Sequence, residues 1–245
     1  LTSFAFSVWA WLDATSGNFP QICSPNAGAT GADLQLFGIH VGASAGLNLY
    51  ISGLQSGNTT NFVIGATPVW HHCACRYVSN GAATGTIIVY LDGVDVTNGN
   101  SGSISAVPGT NPWSIGAGNA GGNSFWKGYL YDYAIWTAAT GVIPITIDEI
   151  KALSKGARPF QIRPQNLVTH LPLWGFGYPE PDLSGAVRNG TQAGSVTAGP
   201  IDAPVMMFTP RWPMGSILPA PVAVVPPAFP FQSTQIIRKP IIIGY

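Results

Sequence analysis

The sequence predicts an all-β domain of two antiparallel sheets, with one short helix and an extended proline-rich C-terminal arm. Three observations carry that prediction. Strand-like runs recur at roughly ten-residue spacing, separated by Gly, Pro, Ser and Asn. Asp92-Gly93 lies between apolar runs, and glycine there tolerates the positive φ that tight hairpins demand. A single stretch carries the chemistry of a helix start.

Taken in order, residues 4–12 (FAFSVWAWL) alternate large and small side chains, as a buried strand does. Residues 15–32 are rich in Ser, Gly, Asn, Pro and Thr and read as a loop. Residues 34–41 and 47–52 read as two strands across a Gly/Ser turn, and 61–65 as a short one. Residues 69–78 (VWHHCACRYV) form a longer strand, and 86–91 lead into the Asp92-Gly93 hairpin. Further strands are expected at 103–107, 113–116 and 128–136. The helix starts at a capping box: Thr146 covers free N–H groups while Glu149 reaches back to the cap. It runs from Ile147 to Lys155 and stops at Gly156, with Lys151 and Lys155 where the dipole favours cations. Residues 166–174 give one more strand, and Pro172 places it at an edge or bend.

From residue 200 the character changes. Ten of the remaining residues are proline, and most others are Val, Ile, Met, Phe or Ala. Disordered tails are normally polar and charged, and this one is apolar. An extended apolar arm makes physical sense lying along its own domain or along a neighbouring subunit. Residues 235–245 carry isoleucines that suit strand addition to a sheet edge. The chain therefore divides into a domain at 1–199 and an arm at 200–245.

Formal net charge is +0 and charged residues make up 8%. That leaves no basic footprint for phosphate, so nucleic acid is not an expected partner. No apolar run of about 18 residues suggests a membrane-crossing helix. Cys23, Cys73 and Cys75 are an odd count. Cys73 and Cys75 stand two apart on one strand face and are poorly placed to bridge each other. The three read as free, small core residues, or Cys23 bridges one of the other two.

Several segments together resemble the concanavalin A-like, laminin-G-like jelly-roll superfamily. Residues 6–11 (FSVWAW) resemble its early core strand, Trp70-His71-His72-Cys73-Ala74 its central strand, and Val89-Tyr90-Leu91-Asp92-Gly93 its hairpin. Ser114-Ile115-Gly116, residues 126–130 (WKGYL), Ala134-Ile135-Trp136 and Asp148-Glu149-Ile150 resemble the closing segments. The likeness runs from about residue 4 to 200 and implies a concanavalin A-like jelly roll. Such domains usually carry a strand before the one holding Trp9, so the polypeptide is expected to have been processed or to begin upstream. Ala157-Arg158-Pro159, Ile162-Arg163-Pro164, residues 182–185 (DLSG) and Ala203-Pro204-Val205 are similar to endings of phage-encoded jelly-roll proteins. That similarity implies a virion-surface role.

The superfamily also hosts glycoside hydrolases, which need two carboxyl groups at close spacing. This chain has two glutamates: Glu149 is absorbed by the helix cap, and Glu180 sits between prolines. No Glu-x-Asp-x-x-Glu run exists, and Asp92 and Asp95 flank a turn, so no enzyme is expected. His71 and His72 point to opposite faces of a strand. His71, Cys73 and Cys75 share a face, but three groups in line on one strand do not make a tetrahedral zinc site. His40 and His170 stand isolated and the serines fall in loops, which leaves no Ser–His–Asp arrangement. No cofactor is expected; a weak calcium site would draw on Asp92 or Asp132.

Two functions remain. One is a structural virion protein, a capsid decoration or tail- or fibre-associated component that binds other subunits through its arm. The other is a secreted or cell-surface carbohydrate-binding module. Sugar contacts would come from Trp126 with the amide and hydroxyl cluster Asn119, Asn123 and Ser124, and from Trp113. The competing reading of both tryptophans is core packing. Asn58-Thr59-Thr60 and Asn189-Gly190-Thr191 match the glycosylation acceptor pattern.

Overall fold

The computed structural model describes residues 3–12, 21–25, 34–38, 47–51, 54–56, 70–81, 85–97, 113–116, 126, 128–173, 179–191, 197–198 and 241–242. Its strands are β1 (Ser3–Leu12), β2 (Gln21–Pro25), β3 (Leu34–Gly38), β4 (Leu47–Ile51), β5 (Leu54–Ser56), β6 (His71–Ser79) and β7 (Gly85–Leu91). They continue with β8 (Val94–Asp95), β9 (Trp113–Ile115), β10 (Gly128–Ala138), β11 (Leu167–Leu171), β12 (Thr197–Ala198) and β13 (Ile241–Ile242). The helix α1 is Ile147–Ser154. Sheet A runs β12-β13-β10-β1-β6-β7-β8, with β11 also against β10, and sheet B runs β5-β4-β3-β2-β9. This is the antiparallel jelly-roll sandwich that the sequence predicts.

The alternation in β1 explains its place at the centre. Phe6, Val8 and Ala10 point inward with Cys73, Cys75, Val89 and Leu130, and meet Ile22 and Cys23 of sheet B. Each such apolar side chain contributes about 1.5–3 kcal/mol when fully buried. The residues that alternate with them, small at Ala5 and Ser7, face the other way. Ala5, Ala74, Ala134 and Trp136 form a second core beneath Ile150 and Leu153 of α1, with Ile162 and Leu167. Sheet A is thus covered on both faces at this end, and small outer residues let the helix approach.

Local chemistry sets the connections. Asp92 (φ 51) and Gly93 (φ 79) both take the left-handed conformation, and Leu91 pairs with Val94 across them. Gly93 also has to be small: a Cβ there would stand 2.5 Å from Ser154 Oγ on α1. At α1 the Thr146 hydroxyl accepts from the Glu149 N–H (3.3 Å), and the Thr146 N–H donates to Glu149 Oε2 (2.6 Å). Arg163 Nε then donates to Glu149 Oε1 (2.8 Å), tying the helix start to the following turn. The helix ends at Lys155, with Gly156 at φ 97.

Three strands, β2, β5 and β12, lie where the sequence suggested none. β2 falls in the stretch read as a loop, because Ile22 is its only strongly strand-forming residue. It is a strand because β3 and β9 flank it on both edges and bury Ile22 and Cys23. β5 continues from β4 as a short hairpin. The strands expected at 61–65 and 103–107 lie outside the described residues. None of the three cysteines is in a disulfide, and all three are buried. Burial pushes the Cys73 and Cys75 thiols well up, reinforced by the Asp92 charge for Cys73 and by Cys23 for Cys75.

Candidate functional site

Beyond the edge of the second core, the outer face of sheet A carries a different surface. Alternation along β1 puts Trp9 and Trp11 on that face, next to Ser7 and Ala5. The register sets Trp11 opposite Tyr129, and Trp9 between Tyr131 on β10 and His72 on β6. The Tyr129 ring lies 4.9 Å from Trp11 and 6.3 Å from Trp70, and the Trp9 ring meets His72 edge-on at 5.3 Å. Two rows of rings therefore cross the strands side by side. Trp9, Trp11 and Trp70 are partly exposed, whereas Tyr129, Tyr131 and His72 are buried beneath them.

A polar cluster adjoins these rows. Ser7 pairs with Ala134 and Trp9 with Tyr131, so Asp132 and Tyr133 together stand opposite Val8 in a β-bulge. Asp132 takes φ 54 there, and its carboxylate accepts from His170 Nε2 (2.9 Å) while pairing with Arg158 Nε (3.3 Å). The Arg158 guanidinium also sits over the Tyr131 ring and bonds its hydroxyl. Across the sheet, Ser7 Oγ and His72 Nε2 share a hydrogen bond of 2.9 Å. Burial lowers the His72 pKa to about 4, against the opposing pull of the Asp92 charge, so the ring is neutral.

Polar atoms are left over on this face. Trp70 Nε1, His72 Nδ1 and His170 Nδ1 are buried without a hydrogen-bond partner. A buried polar atom left unpaired costs about 1–3 kcal/mol. Trp70 Nε1 and His72 Nδ1 belong to the aromatic rows themselves, and partly exposed rings with a few polar groups are the usual composition of a small-molecule site.

The residues chosen from sequence fare differently. Trp126 is fully buried, and its indole N–H donates to the Trp11 carbonyl (3.2 Å). It packs in the inner core and presents no ring to a sugar, which corrects its assignment as a contact. Trp113 lies on β9, with its side chain outside the described residues, as are Asn119, Asn123 and Ser124. Asn58 is outside them too, while Asn189 is exposed and accepts from the Asp182 N–H (3.0 Å). Sequence reasoning missed Trp9, Trp11 and Trp70 by treating all large residues of these strands as core. Reading the outer face of the alternation would have found the first two.

Two further expectations need correction. His170 is not isolated, since it binds Asp132, and Ser7 is a strand residue bonded to His72. The two pairs do not combine into a triad. The second ring nitrogen of His72 has no partner, and Asp92 meets His72 through its backbone N–H (2.8 Å). The carboxylates named for calcium face nitrogen donors: Asp92 accepts from His71 Nδ1 (2.7 Å), and Asp132 is held by His170 and Arg158. No group of three metal-binding side chains occurs among the described residues. His71 and His72 do diverge as expected, one to Asp92 and one to Ser7.

The carboxyl chemistry is that of hydrogen-bond acceptors. Burial opposes ionisation of Asp92, Glu149 and Asp182, but hydrogen bonds outweigh it and hold all three below their ordinary range. For Asp182 the donors are the N–H groups of His170, Ser184 and Arg188. A general acid needs the opposite shift. No helix among the described residues is long and apolar enough to cross a membrane.

Comparison with known proteins agrees with this architecture. A family model described as the concanavalin A-like lectin/glucanases superfamily, of laminin G type, matches residues 1–142. No curated protein sequence matches the chain. One similar solved structure is domain 4 of AbnA, a GH43 extracellular arabinanase from Geobacillus stearothermophilus in complex with arabinotriose. It has 18% identity and a TM-score of 0.44, covering 63% of this chain and 68% of that one. Tailspike protein 2 of Escherichia coli O157:H7 bacteriophage CAB120 has 15% identity and a TM-score of 0.47, over 70% of this chain and 24% of that one. The heptameric SAP-like pentraxin of Limulus polyphemus has 16% identity and a TM-score of 0.39, over 63% and 76%. Likeness of that degree says nothing of ligand or partner.

Proposed function

The chain belongs to the concanavalin A-like lectin/glucanase superfamily, and on that premise we propose that it is a non-enzymatic structural module of a virion that contacts glycans through the outer face of sheet A. The observation that carries the glycan reading is the pair of aromatic rows, partly exposed at Trp9, Trp11 and Trp70 and carrying unpaired nitrogens at Trp70 and His72. Sugars offer apolar ring faces and hydroxyl groups together, and such a surface is complementary to both. The non-enzymatic reading is supported by the acceptor roles and lowered pKa values of Asp92, Glu149 and Asp182. The virion reading is supported by the proline-rich apolar arm, by a surface poor in charge, and by the resemblance of residues 157–205 to phage-encoded endings. A secreted carbohydrate-binding module uses the same face and differs in having no assembly for the arm to join.

The test is a glycan array probed with the full chain, followed by titration of the best neutral oligosaccharide. Trp9→Ala is expected to weaken binding about tenfold or more, equivalent to about 1.4 kcal/mol. An array without signal at saturating protein, or full affinity in Trp9→Ala and Trp70→Ala, would remove the glycan reading.

A further inference from the structure

We infer that β13 is an exchangeable strand, and that the edge of β10 at Tyr129–Leu130 is a slot that receives it from a second copy of this chain. The inference deepens the assembly part of the proposed function and rests on it. It is independent of glycan contact.

The argument begins at the β10 edge. One side of β10 is paired with β1 along almost its whole length. The other side is divided. β11 covers Tyr133–Trp136, and the Asp132 bulge then turns the strand, with the Asp132 N–H donating to the Pro172 carbonyl (3.1 Å). Beyond the bulge β11 is no longer available, and unpaired strand edges invite pairing by another segment. β13 fills that place: Ile242 pairs with Tyr129 and Ile241 with Leu130, while β12 closes the far side through Thr197 and Ala198.

The filling strand is separated from its neighbour in an unusual way. Ala198 and Ile241 are direct partners, yet residues 199–240 lie between them, and those residues hold ten prolines. A flexible linker of about forty residues would hold β13 near its own slot at roughly millimolar effective concentration. The two ends of that linker meet at strand spacing, since Ala198 pairs with Ile241. The contacts that β13 makes are the same whichever copy supplies it, so cis and exchanged forms differ only in the linker and in chain concentration. The ladder itself is two residues long on each side, short enough to open locally without unfolding the sandwich. Copies crowded on an assembly, at or above the effective concentration in cis, shift the balance to exchange.

The experiment is cysteine cross-linking in the full chain, whose own three cysteines are buried. Tyr129→Cys and Ile242→Cys are made as separate chains, one of them isotopically labelled. They are mixed at roughly millimolar concentration, diluted and oxidised. Exchange predicts a disulfide-linked species containing one chain of each kind, whose yield rises with the concentration of mixing and is lost when Ile241→Pro is added to the Ile242→Cys chain. A mixture that never cross-links, while Tyr129→Cys/Ile242→Cys in one chain closes at every concentration, overturns the exchange and fixes β13 in cis. A double variant that does not close either overturns the slot itself. Association of the unmodified chain with particles, measured separately, reads the assembly proposal, so the two fail distinguishably.

Discussion

His72 couples the stability of this fold to pH. Its ring is fully buried between Ser7 and Trp9, and burial lowers its pKa from 6.5 to about 4 despite the nearby Asp92 charge. Between those values the unfolded chain binds a proton that the folded chain refuses. The contribution of His72 is therefore complete above pH 6.5, declines as pH falls, and reaches its floor near pH 4. The decline amounts to about 3 kcal/mol over that window. Asp92, Glu149 and Asp182 shift in the opposite sense, as carboxylates held below their ordinary range, and their contribution is lost only in stronger acid. The urea midpoint is thus expected to fall between pH 7.5 and 5 in the wild type. In His72→Gln, which keeps a hydrogen-bonding group for Ser7 and cannot titrate, it should stay nearly level across that interval. An equal fall in both proteins would show that His72 is not the group responsible.

Helix α1 shows what one element contributes and how much of it could be read in advance. Its start is fixed by Thr146 and Glu149, and its inner side by Ile150 and Leu153, which cap the second core over Ala5, Ala74 and Ala134. Thr146→Ala removes the acceptor for the Glu149 N–H and is expected to cost about 1 kcal/mol. That loss would appear as a lower denaturant midpoint at unchanged slope, and an unchanged midpoint would mean that the capping box does not stabilise the folded state. The helix, the Asp92-Gly93 hairpin and the alternation of β1 were legible because residues close in sequence determine each. The Ser7–His72 and Asp132–His170 pairs were not, since their partners lie 65 and 38 residues apart and meet through register alone. The same holds for the binding face. Alternation shows that Trp9 and Trp11 share a side of β1, but which side the helix leaves uncovered depends on where α1 packs. Trp126 illustrates the converse: the amide and hydroxyl groups that precede it made it a candidate sugar contact, yet its indole lies in the inner core.

At the scale of the molecule, sheet A is a layer held between two others, and its strands should not be equally stable. β1, β6 and β10 lie next to one another in its middle, with the inner core on one face and the second core on the other. Opening any of them exposes apolar surface on both faces at once, so their amides should exchange only through global unfolding. β12 and β13 sit at one end of the same sheet and are each two residues long. Few hydrogen bonds restrain them, and the peptide joining them is long. Hydrogen exchange followed by mass spectrometry is therefore expected to show peptides from β1, β6 and β10 protected the longest, and those covering Thr197–Ala198 and Ile241–Ile242 exchanging orders of magnitude sooner. That gradient is also what strand exchange requires, because β13 must leave its slot while the sandwich stays folded. If the C-terminal peptide were protected as long as β10, its release would need the whole domain to unfold, and exchange between folded copies would be ruled out on kinetic grounds. If β1 or β6 exchanged early instead, the outer layer would not be closing sheet A, and the second core beneath α1 would contribute little to the stability of the fold.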